Sequence, residues 1–409
     1  MPRRRSCSAG SRSMHGELTS RNPDMNRSVA LFFSFYFILF MGNALYSTFI
    51  PVYFQDKGFS ASQIGTLLSI GPFIAVLAQP MWGSVSDKSR TKNRVLQILL
   101  IGSGVSMLLY PLSDAFVYLM ILIGVFTLFQ TSTGAIGDAI TLEALGSQAS
   151  SYGIIRLGGT LGFALMSIVF GSYAKSHVDS MFPVYAAVML VSLLLLLRYP
   201  TIGGHQFAGR RMRIWELFKN RKLVLYLGIC FAVNVTLGYY YAFFPLYYKE
   251  LGADNGLLGW SMVISALSEV PFLLLSSRLF SRFSISSILL VASGAAAVRW
   301  LLFGLIDNPL AILSVQALHG MIFIVVSVTM SVFINKEVPQ ELRASGQTLN
   351  ALLNLGAARI IGSYAGGFAS EAAGMQTVFL YCAIVTFVSL AVFAGIGLRN
   401  RAGSAEMHG

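Results

Sequence analysis

The stretch Leu31-Phe-Phe-Ser-Phe-Tyr-Phe-Ile-Leu-Phe-Met-Gly-Asn-Ala-Leu-Tyr-Ser-Thr-Phe-Ile50 contains no charged side chain. A helix needs about 20 consecutive apolar residues to cross the hydrocarbon interior of a bilayer. A second uncharged run, 182–197, is dominated by Leu, Val and Ala. Runs of this kind predict membrane-spanning helices.

The composition of the whole chain agrees with these two runs. Of its 409 residues, 55% are hydrophobic and only 11% are charged. A soluble globular protein carries roughly a quarter of its residues as Asp, Glu, Lys and Arg. A water-soluble fold cannot cover that much apolar surface, so an all-α membrane protein is expected, with the lipid bilayer as its solvent.

Twelve helices are predicted from apolar length and from polar, Gly and Pro breaks. They lie near 28–52, 62–82, 95–112, 116–144, 152–174, 181–199, 222–247, 257–279, 284–305, 308–334, 344–368 and 374–398. The longest gap is polar and basic and has six helices on each side. We therefore expect two pseudo-symmetric six-helix bundles, 28–199 and 222–398, joined by a cytoplasmic linker at 200–221 and flanked by a disordered tail at 1–27 and a second tail at 399–409.

The basic residues indicate orientation rather than nucleic-acid binding. The net charge is +12, but the cations lie in short loops and tails instead of forming a patch on a soluble face. Of the 29 Lys and Arg, only Lys57, Lys175 and Lys249 fall in loops on one side. Because cytoplasmic loops accumulate cations, both termini are predicted to be cytoplasmic in a multi-pass protein of the cell membrane. The Arg- and Ser-rich first tail also resembles an organelle transit peptide, against which Glu17 and Asp24 argue.

The three cysteines do not form a metal-binding or disulfide pattern. Cys7 lies in the first tail, and Cys230 and Cys382 lie inside apolar segments. No CxxC spacing, HExxH or GxSxG motif occurs. We expect no metal, no cofactor and no enzymatic activity.

Ionisable side chains within the predicted spans are the first candidates for a functional site. Each costs at least ~2.5 kcal/mol to insert, so such residues usually mark a solute or ion pathway. They are Asp138, Glu143, Arg156, Glu269, Arg299, His319 and Arg359. Glu143 is interpreted as a helix-end residue in headgroup water, and Arg359 as either a solute contact or a packing partner for a helix carbonyl.

These charges fall into two groups. Asp138 and Arg156 lie on consecutive antiparallel helices and can pair, whereas Glu269, Arg299 and His319 lie on three consecutive helices of the other half. Buried charges need partners, so pairs that only hold helices together are the alternative reading. We predict that Arg156 and Arg299 contact the solute and that Asp138 and Glu269 balance them.

The segment after the second helix resembles the signature of the major facilitator superfamily. That signature reads Gly-x-x-x-Asp-Arg/Lys-x-Gly-x-Arg/Lys, and Gly83, Asp87, Lys88 and Lys92 match it, with Arg90 in place of the second Gly. The resemblance implies a twelve-helix transporter fold that works by alternating access. It also implies that these four residues form a conformational motif.

Longer stretches resemble the phenylpropionate permease group and the lactose permease-like oligosaccharide:proton symporters. They are Asp138-Ala with Tyr-Gly-Ile-Ile-Arg156-Leu-Gly-Gly, Ser-Glu269-Val, and Val-Arg299-Trp with Gln-Ala-Leu-His319. The resemblance implies substrate binding by Asp138, Arg156, Glu269, Arg299 and His319. It places Phe163 where those symporters have a sugar-stacking tryptophan, and Ile322 where they have a proton-carrying glutamate.

Proton coupling would therefore fall to Glu269 or Asp138, with His319 as partner. Tyr240, in a run of three tyrosines, is a further predicted solute contact because its ring can stack or donate a hydrogen bond. The predicted function is secondary transport of an aromatic acid, nucleoside or sugar, as a proton symporter and a monomer. An exporter of lipophilic compounds and a transporter-derived sensor are the alternatives.

Overall fold

A computed structural model describes residues 23–146, 152–174, 177–204 and 217–406. Nearly all of them are helical, and eleven helices among them are long and apolar enough to cross a membrane. A twelfth, α11, consists of three consecutive segments, each shorter than a span needs. The helices are α1 Pro23–Asp56, α2 Ala61–Lys88, α3 Lys92–Leu108, α4 Phe116–Leu145, α5 Tyr152–Tyr173, α6 Met181–Leu196, α7 Arg221–Glu250, α8 Asn255–Arg282, α9 Ile285–Leu305, α10 Pro309–Glu337, α11 Arg343–Asn350 with Ala351–Ala357 and Ala358–Ala373, and α12 Met375–Glu406.

Several helices are longer than the sequence predicts. The helix α1 begins at Pro23, inside the predicted first tail, which is allowed because proline suits the first helical position. At the other end of the chain, α12 continues to Glu406 through the predicted second tail. The helix α2 also extends to Lys88, so most of the predicted motif loop is the end of a helix. The rest of the first tail, 1–22, and most of the linker, 205–216, lie outside the described residues.

Glycines hold the first and fifth helices of each half in close contact. A Cβ at Gly162 of α5 would lie 1.9 Å from the Phe37 carbonyl oxygen of α1. In the second half, a Cβ at Gly362 of α11 would lie 2.1 Å from the Val235 carbonyl oxygen of α7. Only glycine permits such a backbone approach. The repeated contact shows the pseudo-symmetry of the two six-helix bundles, α1–α6 and α7–α12.

The two bundles meet tightly at one face, here called the far face, where odd-numbered helices end and even-numbered helices begin. A Cβ at Gly259 of α8 would lie 2.1 Å from the Ser167 carbonyl oxygen of α5. A Cβ at Gly65 of α2 would lie 2.5 Å from the Ser363 carbonyl oxygen of α11. These contacts are related by the same pseudo-symmetry. Lys249 of α7 also forms a 3.1 Å ion pair with Asp56 of α1.

A further hydrogen bond closes the far face. The Ser62 backbone N–H, in the first turn of α2, donates to the Glu371 carboxylate of α11 over 3.1 Å. A negatively charged hydrogen-bond acceptor is favourable at a helix N-terminus because the first N–H groups of the helix have no partner within it. This bond joins the two halves as well as capping α2.

At the opposite face, here called the terminal face, the described glycines make no such backbone contact between the halves. Added Cβ atoms at Gly83 of α2 and Gly153 of α5 would meet nothing within 4 Å. The Arg156 side chain, one turn into α5, is 45% exposed. The closest contacts between the bundles are thus at the far face, and the space between the bundles on the terminal side is here called the cavity.

The predicted motif residues lie at this terminal face. Lys92 pairs with Glu143, which joins the start of α3 to the end of α4; Glu143 lies at the end of its helix, as expected, and its side chain is 34% exposed. The Asn93 side chain donates to the Pro200 carbonyl oxygen over 3.1 Å and accepts from the Ile202 N–H over 3.1 Å. The beginning of the linker is thus attached to α3.

Candidate functional site

The first group of predicted site residues lies on α1, α4 and α5. Asp138 and Arg156 are 3.9 Å apart, so the predicted pair is present. The Tyr36 hydroxyl of α1 donates a hydrogen bond to the Asp138 carboxylate. Asp138 remains 32% exposed, so water or a solute can reach this pair from the cavity.

Arg156 is held over aromatic rings rather than in a tight ion pair. Its guanidinium carbon lies 4.5 Å from the Phe40 ring centroid and 5.9 Å from that of Tyr36. It also lies within electrostatic reach of Glu269 in the other half. Arg156 thus pairs with Asp138 of its own bundle and interacts with the charge of Glu269 only at longer range. Phe163, two turns further along α5, is half-buried.

The second group forms a chain of contacts in the C-terminal bundle. Arg299 of α9 donates from Nη1 to His319 Nδ1 over 3.0 Å, and it also donates to the Gln316 side-chain oxygen. A guanidinium has no acceptor, so the His319 Nδ1 must accept and the ring proton lies on Nε2. That nitrogen is 3.1 Å from the Tyr241 hydroxyl and 3.5 Å from a Glu269 carboxylate oxygen. Arg299 thus fixes a neutral His319 with its proton directed toward α7 and α8.

A glycine brings His319 beside Glu269. A Cβ at Gly320 of α10 would lie 2.0 Å from the Ser268 carbonyl oxygen of α8. The Gly320 N–H donates to the Ser268 hydroxyl over 2.8 Å. Because the backbones of Gly320 and Ser268 touch, the neighbouring residues His319 and Glu269 face each other. The Glu269 side chain keeps 23% of its surface exposed to the cavity.

Arg299 and Tyr240, both expected to contact the solute, have almost no exposed surface. Arg299 is 0% exposed because its guanidinium lies 4.3 Å from the Tyr240 ring centroid and 4.9 Å from that of Trp300. The Tyr240 hydroxyl donates to Gln316 over 3.1 Å. In this conformation both residues position His319 rather than line the cavity. Ile322 is also fully buried, in the apolar core of the same bundle.

Arg359 of α11 completes the set of charges. Its guanidinium carbon lies 4.9 Å from the Tyr241 ring centroid and 5.9 Å from that of Phe323. Within the described ranges, no carboxylate lies within 4 Å of it and no helix carbonyl accepts its hydrogen bond. The interpretation of Arg359 as a carbonyl-binding packing residue therefore has no support in these contacts.

Four residues of the site carry no clear signal in the sequence. Tyr36, Tyr241, Gln316 and Gly320 matter through contacts with other helices, and tyrosine and glycine are frequent throughout the chain. Gln316 is the first residue of a 3₁₀ turn within α10. Its polarity is the one hint that the sequence offers.

Replacing Tyr36 by Phe tests the first group. The ring beside Arg156 stays, but Asp138 loses a hydrogen-bond donor, and such a bond contributes about 0.5–1.5 kcal/mol. We expect the KM for solute uptake to rise by roughly 2- to 12-fold with little change in the amount of folded protein. Tyr173→Phe, on the exposed end of α5, is the matched control and is expected to behave as wild type. An unchanged KM in Tyr36→Phe would show that Asp138 does not need this donor.

Comparison with known proteins agrees with the fold. A family model described as the MFS_1 like family matches residues 31–381. The maltose permease of Geobacillus stearothermophilus is 25% identical over 377 residues, covering 91% of this chain and 95% of that protein. The probable 3-phenylpropionic acid transporter of Escherichia coli is 24% identical over 292 residues, covering 69% and 76%.

Solved structures show the same architecture. The crystal structure of the nucleoside transporter NupG matches with a TM-score of 0.81 at 20% identity, covering 90% of this chain and 98% of that one. The predicted resemblance to the superfamily is confirmed, because the family model spans most of the chain. The chain belongs to the MFS_1 like family of the major facilitator superfamily and is a membrane transporter of small solutes, not an enzyme.

Proposed function

We propose that this protein carries a small organic solute, such as an aromatic acid, a nucleoside or a sugar, across the cell membrane together with a proton. The observation that carries the proposal is that each bundle contributes a partly exposed carboxylate beside a basic side chain: Asp138 beside Arg156, and Glu269 beside His319. Both carboxylates are partly exposed to the cavity between the bundles. The substrates named for the relatives are of these same classes.

Competition for Arg156 supplies a physical basis for coupling. An ionised Glu269 attracts Arg156 across the cavity, whereas a protonated Glu269 does not. Protonation therefore makes the guanidinium available to a solute, and by linkage a bound solute favours protonation by the same factor. Asp138 is the second candidate proton carrier, and Tyr36 and Arg156 are its neighbours. His319 assists by directing its Nε2–H group toward the Glu269 carboxylate, without transferring that proton.

The conformation described above is one end of an alternating-access cycle. The excess of cations at the terminal face supports a cytoplasmic position for that face and for both termini. The cavity is then open inward and closed at the far face by the glycine contacts of α5 with α8 and of α2 with α11. The moving bodies are the predicted bundles 28–199 and 222–398, joined by the linker 200–221 within a monomer.

The motif residues belong to the same cycle. Gly83 and Asp87 lie on the last turns of α2, at the face that must close when the far face opens, and Lys88 ends that helix. Lys92 holds α3 against α4 through Glu143. We assign to these four residues the control of closure at the terminal face.

Uptake into proteoliposomes tests the proposal. Labelled 3-phenylpropionate, uridine and maltose are supplied outside, with and without an imposed inward proton gradient. Accumulation of one solute that depends on the gradient is the expected result. Equilibration without accumulation would contradict proton coupling, and failure to take up any solute would favour the exporter or sensor alternatives.

A further inference from the structure

We propose that Arg359 is the anchor for an anionic group of the solute, and that the transported solute is an organic carboxylate with an apolar or aromatic body. This inference rests on the proposed transport function and specifies the class of its solute. It is carried by the juxtaposition of an unpaired guanidinium, two aromatic rings and an excess of positive charge in one cavity.

Arg359 is a charge without a counter-charge. Its Nε atom is buried and donates no hydrogen bond, and the described part of the chain offers it no carboxylate within 4 Å. The rings of Tyr241 and Phe323 are its neighbours instead. An aromatic face offsets only part of the cost of burying a guanidinium, about 0.5–2 kcal/mol. A bound anion would supply the missing hydrogen bonds and charge.

The backbone around Arg359 holds it in this position. A Cβ at Gly238 of α7 would lie 2.8 Å from the Arg359 Cα atom, so α7 and α11 touch at this level. The seven residues directly before Ala358 form a π-helix, Ala351–Ala357. Such segments are rare and occur frequently at functional sites, because the wider turn changes which side chains face a cavity. The fold thus fixes the backbone of Arg359 while leaving its guanidinium unsatisfied.

The charges of the cavity region leave one positive charge uncompensated. Its cations are Arg156, Arg299 and Arg359, and its anions are Asp138 and Glu269, with His319 neutral as argued above. Desolvated charges are stable when they are paired. With Glu269 ionised, one carboxylate from a solute would restore neutrality; with Glu269 protonated, as in the proposed coupling, it would halve the remaining positive charge, whereas a neutral sugar or nucleoside would do neither. Charge-assisted, bidentate hydrogen bonds are the usual way in which arginine holds such a group.

The side chains next to Arg359 are suited to an apolar body. Phe323 and Tyr241 lie beside Arg359, and Phe40 lies beside Arg156. Aromatic faces of this kind favour an aryl ring through offset or edge-to-face contacts. An aryl carboxylate therefore satisfies both features at once.

Binding to the purified full-length protein in detergent tests this proposal directly. Calorimetric titrations use 3-phenylpropionate and benzoate, each paired with its uncharged carboxamide. We expect each acid to bind at least about tenfold more tightly than its amide, and Arg359→Gln to weaken binding of the acid by roughly 10- to 150-fold while leaving the amide unchanged. Arg359→Lys keeps the charge but loses the bidentate geometry, so its affinity for the acid is expected to be intermediate.

Controls separate this result from misfolding and from loss of transport. Arg221→Gln removes an exposed arginine at the start of α7 and is expected to bind as wild type. Arg359→Gln with the same affinity for the acid as wild type, or failure of both acids to bind, would overturn the inference. Uptake of uridine or maltose by Arg359→Gln at the wild-type rate would also overturn it while leaving the transport proposal intact. Binding of an acid without uptake of any solute would support the anion site and contradict transport.

Discussion

Replacing Gly259 by Ala is expected to reduce solute uptake by roughly 5- to 150-fold. The added Cβ would lie 2.1 Å from the Ser167 carbonyl oxygen, which is backbone and cannot rotate away. Overpacking of this kind costs about 1–3 kcal/mol. The cost falls only on the conformer in which α5 and α8 touch at the far face, so it shifts the two-state equilibrium by roughly 5- to 150-fold away from that conformer.

The measurement is initial uptake into proteoliposomes, accompanied by the melting temperature of the purified variant. Gly294→Ala is the matched control, because its added Cβ in α9 would meet nothing within 4 Å. We expect that control to transport as wild type. Gly65→Ala, at the pseudo-symmetric contact with α11, is expected to repeat the defect. Wild-type uptake by both Gly65→Ala and Gly259→Ala would show that closure of the far face does not limit transport.

Replacing Glu269 by Gln is expected to abolish gradient-driven accumulation, by about 100-fold or more, while exchange of labelled for unlabelled solute continues. The amide keeps the size of the carboxyl group and its contact with His319, but it cannot gain or lose a proton at physiological pH. A transporter fixed in the neutral state at this position would still bind solute and reorient. It would have no proton to couple to the movement.

Accumulation and equilibrium exchange are measured side by side in the same proteoliposomes. Glu250→Gln, at the exposed end of α7, removes an acid outside the cavity and is expected to leave both activities unchanged. Accumulation by Glu269→Gln at the wild-type level would assign the proton to Asp138 instead. Loss of exchange as well as accumulation would show that Glu269 is required for solute binding rather than for coupling.

The limits of sequence reasoning are clearest at the arginines. Arg156, Arg299 and Arg359 are equally conspicuous in the sequence, because each is a charge within an apolar run. The structure gives them different surroundings: Arg156 is 45% exposed, Arg299 has no exposed surface, and Arg359 faces two aromatic rings, with no carboxylate within 4 Å in the described part of the chain. Burial depends on which helices lie next to each residue. Linear spacing does not contain that information.

The sequence by itself determined that this protein is a bundle of membrane helices, since lipid leaves an apolar chain no other way to pair its backbone groups. It also determined which side chains are costly in that solvent, including Asp138, Arg156 and Glu269. Only the tertiary structure decided that His319 is neutral and directed at Glu269, and that the far face is closed through Gly259 and Ser167. These features arise where helices distant in sequence touch, and contacts of that kind depend on how the helices pack in three dimensions.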